Sequence, residues 1–360
     1  MLNGKFVIDG VVHAYNVDPS NYAVQPTAEA ISQMVYAVAG GSVPPDYAVP
    51  PEKWIRDWGT DETANMLFRE SVTDFAVFHP TPIGAYYDGM TSVDKAAEVV
   101  RRWPSRFLTY ATVDPLAGKA ALAELDRQVG LLAPIGLKLY PSSWTKGYHQ
   151  GWRMGDPEVA FPLFERARHH GIRTIAIHKA IPFGDVPMES YKVDDLDAAA
   201  GAFPDLNFEI VHGGVAFVEE TAWLLARFPN VWVNLEGLSF ILAAKPRTFA
   251  SLMLGLCSVG GPLVLDRMVW ATGAMSAHPR LLLDAFDRFE FPDDLVENSG
   301  GLFSSVPQIT EETKENILGR NYARMAGLEI DKLAAAIAGD EFAGADTSVP
   351  AYSTTKVAVL

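Results

Sequence analysis

The chain has 360 residues, 49% hydrophobic and 20% charged, the composition of a folded globular protein rather than a disordered or fibrous one. Its 29 basic and 44 acidic residues give a net charge of −15, which repels nucleic acid and anionic membrane surfaces and argues against both as partners. The one cysteine, Cys257, rules out an intramolecular disulfide and an all-cysteine metal site.

In chain order, short apolar runs alternate with longer helical patterns, the mark of repeated βα units around a parallel sheet. The strand candidates are Phe6–Asp9, Phe75–His79, Phe107–Thr112, Gly136–Tyr140, Thr174–His178, Asn207–His212, Val231–Leu235 and Met268–Ala271. Eight such strands close a barrel, so the expected fold is α/β, a (β/α)8 barrel. Between them, Ser92–Trp103 reads as an amphipathic helix stopped by Pro104. Asp114-Pro115 and Asp156-Pro157 supply an N-cap followed by proline, opening helices that run to about Leu132 and His170. Val218–Phe228, Arg247–Leu256 and Pro279–Phe289 are further amphipathic stretches, and Cys257 reads as a core residue beside one of them.

Two regions break the pattern. Residues 16–59, rich in Pro, Gly, Tyr and Trp, form a long N-terminal insertion after the first strand, of the length used for lids and binding segments. Residues 331–360 form a C-terminal extension, helical at first, whose small polar tail after Glu341 is expected to fray or touch a partner subunit. The expectation is thus one barrel domain over 1–330. No run of about 18 apolar residues suggests a membrane span, and a cytoplasmic location is expected.

Active sites of such barrels lie at the C-terminal ends of the strands. His13 falls just beyond the first strand, Lys138 and Tyr140 on the fourth, His178 and His212 at the ends of the fifth and sixth, Glu236 after the seventh, and Thr272-Gly273 after the eighth. Three histidines at matching positions suit a metal, since imidazole nitrogens plus water make an open catalytic site. Lys138 sits in an apolar strand, where a lone ammonium is costly, so it should meet a carboxylate such as Asp9 or Glu236, a substrate anion or the metal site. His79 before Pro80 could reach the mouth or sit in an ordinary turn, and His278-Pro279 reads as a capping or surface group. Tyr15, Tyr22, Tyr86, Tyr87, Tyr140, Trp144, Tyr148 and Trp152 could wall a pocket or pack the long loops.

Several segments carry a family resemblance. Phe6-Val7-Ile8-Asp9-Gly10-Val11-Val12-His13 resembles the first-strand motif of amidohydrolases. Ile175-Ala176-Ile177-His178 and Ile210-Val211-His212-Gly213-Gly214 resemble the fifth- and sixth-strand histidine motifs, and Gly136-Leu137-Lys138-Leu139-Tyr140-Pro141 a recurring fourth-strand sequence. Asn316-Ile317-Leu318-Gly319-Arg320-Asn321-Tyr322-Ala323-Arg324 resembles the closing motif of the amidohydrolase-2 branch that includes aminocarboxymuconate-semialdehyde decarboxylase.

The resemblance implies a divalent metal, zinc before iron or manganese, on His13, His178 and His212. His212 would be a third ligand or the general base, Lys138 and Glu236 would position the substrate or finish the coordination, and Asn321 would be structural. It also suggests a homodimer. Two positions depart from the family: Val11 stands where the first ligand of a His-x-His pair is expected, and Gly273 where the eighth-strand aspartate is expected. Either other residues complete the site, or the metal is weakly held or lacking. The expected function is metal-dependent hydrolysis of a cyclic or apolar carbonyl or carboxylate compound, a small-molecule substrate. Non-oxidative decarboxylation on the same fold is the alternative, and a metal-poor barrel that only binds a ligand is a third reading.

Overall fold

The structure, a computed structural model, describes residues 1–40, 43–143, 150–184, 186–299 and 301–356. Eight parallel strands occur in chain order around one sheet: β1 (Ile8–Val12), β2 (Phe75–Phe78), β3 (Phe107–Thr112), β4 (Gly136–Leu139), β5 (Thr174–His178), β6 (Asn207–Val211), β7 (Val231–Asn234) and β8 (Met268–Val269). The last closes on the first: the Gly10 amide donates to the Trp270 carbonyl at 2.9 Å, Gly273 to Val11 at 3.0 Å and His13 to Ala274 at 2.5 Å. The barrel exists because each strand is apolar on both faces, one toward the interior and one toward a helix, and nearly every strand residue is buried.

Helices between the strands form the outer layer: α1 (Gln25–Gly40), α2 (Thr60–Phe68), α3 (Val93–Arg102), α4 (Lys119–Leu132), α5 (Phe161–His169), α6 (Leu196–Ala202), α7 (Val218–Arg227), α8 (Leu238–Ala244), α9 (Pro246–Leu256), α10 (Pro279–Asp287) and α11 (Ile330–Ile337). Ser92 caps α3 by accepting from the Lys95 amide, and Cys257 is buried in the core behind α9. The Asp114-Pro115 signal opens only a short 3-10 turn over Pro115–Ala117. Gly118 then leaves helical geometry, and α4 begins one residue later. Asn321 donates to the Leu265 and Met268 carbonyls at 2.9 and 2.8 Å, tying the closing motif to β8.

The insertion is folded. Its α1 lies over the barrel mouth, and Ala28, Ile31, Trp54 and Trp58 pack with Tyr86, Met90, Tyr140 and Met275 in a second apolar cluster. The tail, expected to fray, folds back on its own chain through Lys356. Glu70, fully buried, accepts from the Tyr352 and Thr354 amides at 2.7 and 2.6 Å and holds His278 at 2.8 Å, while Arg106 pairs with Asp340. A buried carboxylate needs such donors, and the tail supplies them. Among the described residues, no single helix is long and apolar enough to cross a membrane.

Candidate active site at the mouth of the barrel

The C-terminal strand ends surround a cavity of about 580 Å³, open mouth included, whose floor is polar and whose walls are apolar. His13, Lys138, His178, His212 and Glu236 all face it, as the strand-end argument expects. The walls were not legible in the same way. Of the aromatics flagged in the sequence, Tyr15 and Tyr140 line the cavity, whereas Tyr22 and Tyr86 pack beneath α1, Tyr87 is exposed and Trp152 is buried in the main core. Trp144 and Tyr148 lie outside the described residues. Met34, Val35 and Val38 of α1, with Ile181, Phe183 and Phe240, make the rest of the wall.

Each histidine's hydrogen bonds identify the nitrogen that remains available. His13 is 4% exposed and stacks on Tyr15 at 4.8 Å. Its Nδ1 lies 2.8 Å from the His79 carbonyl, which can only accept, so Nδ1 carries the proton and Nε2 keeps a free lone pair. Burial drives the ring's pKa down to about 4, against which the attraction of Glu236 is too weak. His79 itself is fully buried beside Tyr110 and serves the site through its carbonyl, not its ring.

His178 lies between Tyr140 and Phe183, ring centroids 5.1 and 4.6 Å away. Its Nε2 donates to the Ile181 carbonyl at 2.6 Å, so Nδ1 must accept, and it does so from His212 Nε2 at 2.9 Å. On its other side, His212 Nδ1 lies 2.5 Å from Glu236 Oε2. A continuous chain therefore runs from the Glu236 carboxylate through His212 and His178 to a backbone carbonyl. Burial pushes Glu236 up, but His212, His13 and Lys138 together hold its carboxyl below the usual range, so it is ionised. With Glu236 ionised, both His212 nitrogens donate. Burial, reinforced by His212 and Lys138, keeps His178 neutral well below the ordinary histidine range.

The backbone is bent to serve this arrangement. His212 itself has φ 68°, followed by Gly213 at 56° and Gly214 at 66°, a left-handed run that a non-glycine residue accepts only when its surroundings impose it.

Gly273 explains one departure from the family pattern. A Cβ there would lie 2.6 Å from Glu236 Oε1, and the residue has φ 62°. Glu236 therefore fills the space in which an aspartate at 273 would stand: the carboxylate comes from β7 instead of β8. Val11, fully buried, offers no donor.

Asp9 does not pair with Lys138, as had been one expectation. It accepts from the Thr272 amide at 2.9 Å and from the Thr272 hydroxyl, and burial raises its carboxyl to about 7. Lys138 is 1% exposed and, among the described residues, its ammonium makes no hydrogen bond or ion pair. Its Nζ stands 5.2 Å from the Tyr140 ring, and burial lowers it to about 8 against the pull of Glu236 and Glu209. His278 caps α10 through Nδ1 and is buried against Glu70, away from the cavity, so it is a capping group but not a surface one.

As arranged, these donors do not fit a resident metal ion. The lone pair of His178 accepts from His212, and His212, donating at both nitrogens, has none to offer, so among the described residues His13 Nε2 is the one imidazole lone pair left facing the cavity. Among the described residues, no three His, Cys, Asp or Glu side chains are grouped to enclose an ion.

An eight-stranded parallel barrel with this strand-end histidine set defines the class. The amidohydrolase family model matches residues 85–328, well over half of the chain, and the chain belongs to that family. No curated protein matches it. Among solved structures it is similar to an uncharacterized TIM-barrel protein from Bordetella bronchiseptica, at 17% identity over 89% of this chain and 99% of that one, with TM-score 0.62. It is similar also to 2,6-dihydroxybenzoate decarboxylase from Rhizobium, at 16% identity over 90% of this chain and 99% of that one, TM-score 0.57. A third is 5-carboxyvanillate decarboxylase from Novosphingobium aromaticivorans, complexed with manganese and 4-hydroxy-3-methoxy-5-nitrobenzoic acid, at 15% identity over 90% and 97%, TM-score 0.55. At these identities the likeness establishes the fold.

Proposed function

We propose that this protein is a non-oxidative decarboxylase of a small carboxylic acid with an apolar body. The observation that carries the reading is Lys138, a buried, unpartnered cation at the floor of an apolar cavity beside a charged relay. A substrate anion supplies the partner that Lys138 lacks, and the walls strip water from the scissile carboxylate. Loss of CO2 leaves electrons on carbon that must be met by a proton. His212, held between Glu236 and His178, has a proton to give, and Glu236 offsets the charge of the form that gives it. The decarboxylases among the structural relatives favour this reading over the hydrolysis that the sequence first suggested.

Gly273 in place of the eighth-strand aspartate weighs equally on hydrolysis and decarboxylation, so the product formed decides between them. The test is release of CO2 from hydroxybenzoic and 3-oxo acids by metal-depleted enzyme, with and without added manganese. Glu236→Gln should lower turnover by roughly 10²- to 10⁴-fold, the usual range of general acid–base catalysis, because His212 loses the carboxylate that supports its proton. Cleavage of esters, lactones or amides without CO2 release would sink the proposal, as would full activity in Glu236→Gln.

The manganese in the Novosphingobium relative favours a second reading, in which a divalent ion sits on His13 and on side chains freed from the relay. Activity that appears only with added manganese and is lost in His13→Ala would establish it.

A further inference from the structure

Among the described residues, the other deeply buried lysines are all satisfied. Lys179 donates to Asp195 at 2.9 Å and to the Ser190 carbonyl at 2.7 Å. Lys314 donates to the Asp287 carbonyl at 2.6 Å and to Glu311 at 3.0 Å, and Lys5 also reaches Glu311 at 2.7 Å. Lys138 alone among these has no such contact, although it lines the cavity and is 1% exposed. A lone ammonium in an apolar setting relieves its desolvation by shedding a proton, and the resulting amine is a nucleophile toward carbonyl carbon. The neighbouring groups are those that such a reaction uses: a free imidazole lone pair at His13 Nε2 and a proton donor at His212 Nε2.

We propose that Lys138 forms an imine with the keto group of a 3-oxo acid, and that the iminium so formed is the electron sink for the loss of CO2. The proposal rests on the decarboxylase reading and names its substrate class. The Lys138 nitrogen adds to the keto carbon, forming the C–N bond as the carbonyl π bond opens. The oxygen takes up two protons, one of them from the nitrogen by way of His13, and leaves as water, while the nitrogen keeps its remaining proton in the iminium. In the resulting iminium the bond to the carboxylate breaks, and its electron pair becomes the carbon–carbon double bond of an enamine while CO2 departs. A proton from His212 adds to that carbon, regenerating an iminium. Water then adds to this iminium, and the methyl or methylene ketone leaves as the free amine is restored. The net change is 3-oxo acid anion plus one proton giving ketone plus CO2, with no oxidant or reductant.

The experiment incubates the full chain with acetoacetate or 3-oxo-3-phenylpropanoate and sodium cyanoborohydride, then maps adducts by mass spectrometry while CO2 is measured in parallel without borohydride. Lys138→Arg keeps the positive charge but cannot form an imine, and Lys138→Met has neither property. Wild type should carry a reduced adduct at Lys138, formed faster as pH rises through about 8, and release CO2. Both variants should lack the adduct and lose CO2 release. CO2 release without any adduct, or with Lys138→Arg retaining at least a tenth of wild-type release, overturns the covalent step and leaves the decarboxylase reading standing. An adduct at Lys138 with no CO2 release overturns the decarboxylation step. Neither adduct nor CO2 from these acids, with CO2 from hydroxybenzoic acids, overturns the substrate class, and no CO2 from either set overturns both readings.

Discussion

Replacing Lys138 by Met should stabilise the protein while inactivating it. The lysine titrates near 8 in the folded protein, against 10.5 for an ordinary lysine, because burial disfavours its ammonium. The separation of about 2.5 pH units, at about 1.4 kcal/mol each, is a cost of about 3 kcal/mol to the folded state. The sign follows from the order of the two values. Between pH 8 and 10.5 the unfolded chain holds a proton that the folded chain has released, so wild-type stability rises with pH across that window. Below pH 8 the full cost is present. Met fills a similar volume with no charge, so Lys138→Met should be more stable by about 3 kcal/mol at pH 7 and nearly equal to wild type above 10.5. Urea unfolding followed by tryptophan fluorescence at the two pH values measures this. A variant less stable than wild type at both would mean that the ammonium is satisfied in the fold, and the argument from an unpartnered cation would be refuted. A gain in stability paired with a loss of CO2 release is the pattern expected of a residue kept for function.

Two further outcomes follow from the site. His13 titrates near 4 when folded against 6.5 ordinarily, so the unfolded chain binds the extra proton between those values and stability falls by about 3 kcal/mol as pH drops from 6.5 to 4. His13→Gln should remove that acid-side loss, and equal pH slopes in denaturation series of both proteins would contradict the assignment of a neutral ring. Gly273→Asp should cost about 2 kcal/mol or more, since its left-handed backbone alone disfavours a side chain by about 1–2 kcal/mol and the Cβ meets Glu236. Glu236→Gly in the same chain should restore part of that loss, and wild-type stability in the single variant would show that no such collision exists.

The barrel was legible because a parallel strand covered on both sides leaves an uninterrupted apolar run, and eight such runs carry their own count. Boundaries slipped where pairing, not composition, decides them: β1 begins at Ile8 because Ile8 is the residue that meets Phe75, although Phe6 and Val7 are equally apolar. The floor of the cavity was legible for the same reason as the strands, since residues at strand ends must face the mouth. Its hydrogen-bond commitments were not, because ring orientation in His178 and His212 depends on Ile181 and Glu236, neither adjacent in sequence. Nor was the compensation between Gly273 and Glu236, which exists only as a shared volume. Met34, Val35 and Val38 carry no sequence mark of the cavity, because a helix facing a cavity has the same apolar spacing as one facing a core.

Placing α1 over the mouth separates two kinds of change open to this protein over evolutionary time. The floor is fixed by eight strand ends that also hold the barrel together, so most substitutions there are penalised twice. The roof is one segment inserted between β1 and β2, and Met34, Val35 and Val38 shape the cavity by bulk alone. Descendants of this chain could therefore exchange one ligand for another by altering three side chains on one helix, with the hydrogen-bonded chain on the floor untouched. Selection experiments that seek new substrates have their natural starting library in those three positions.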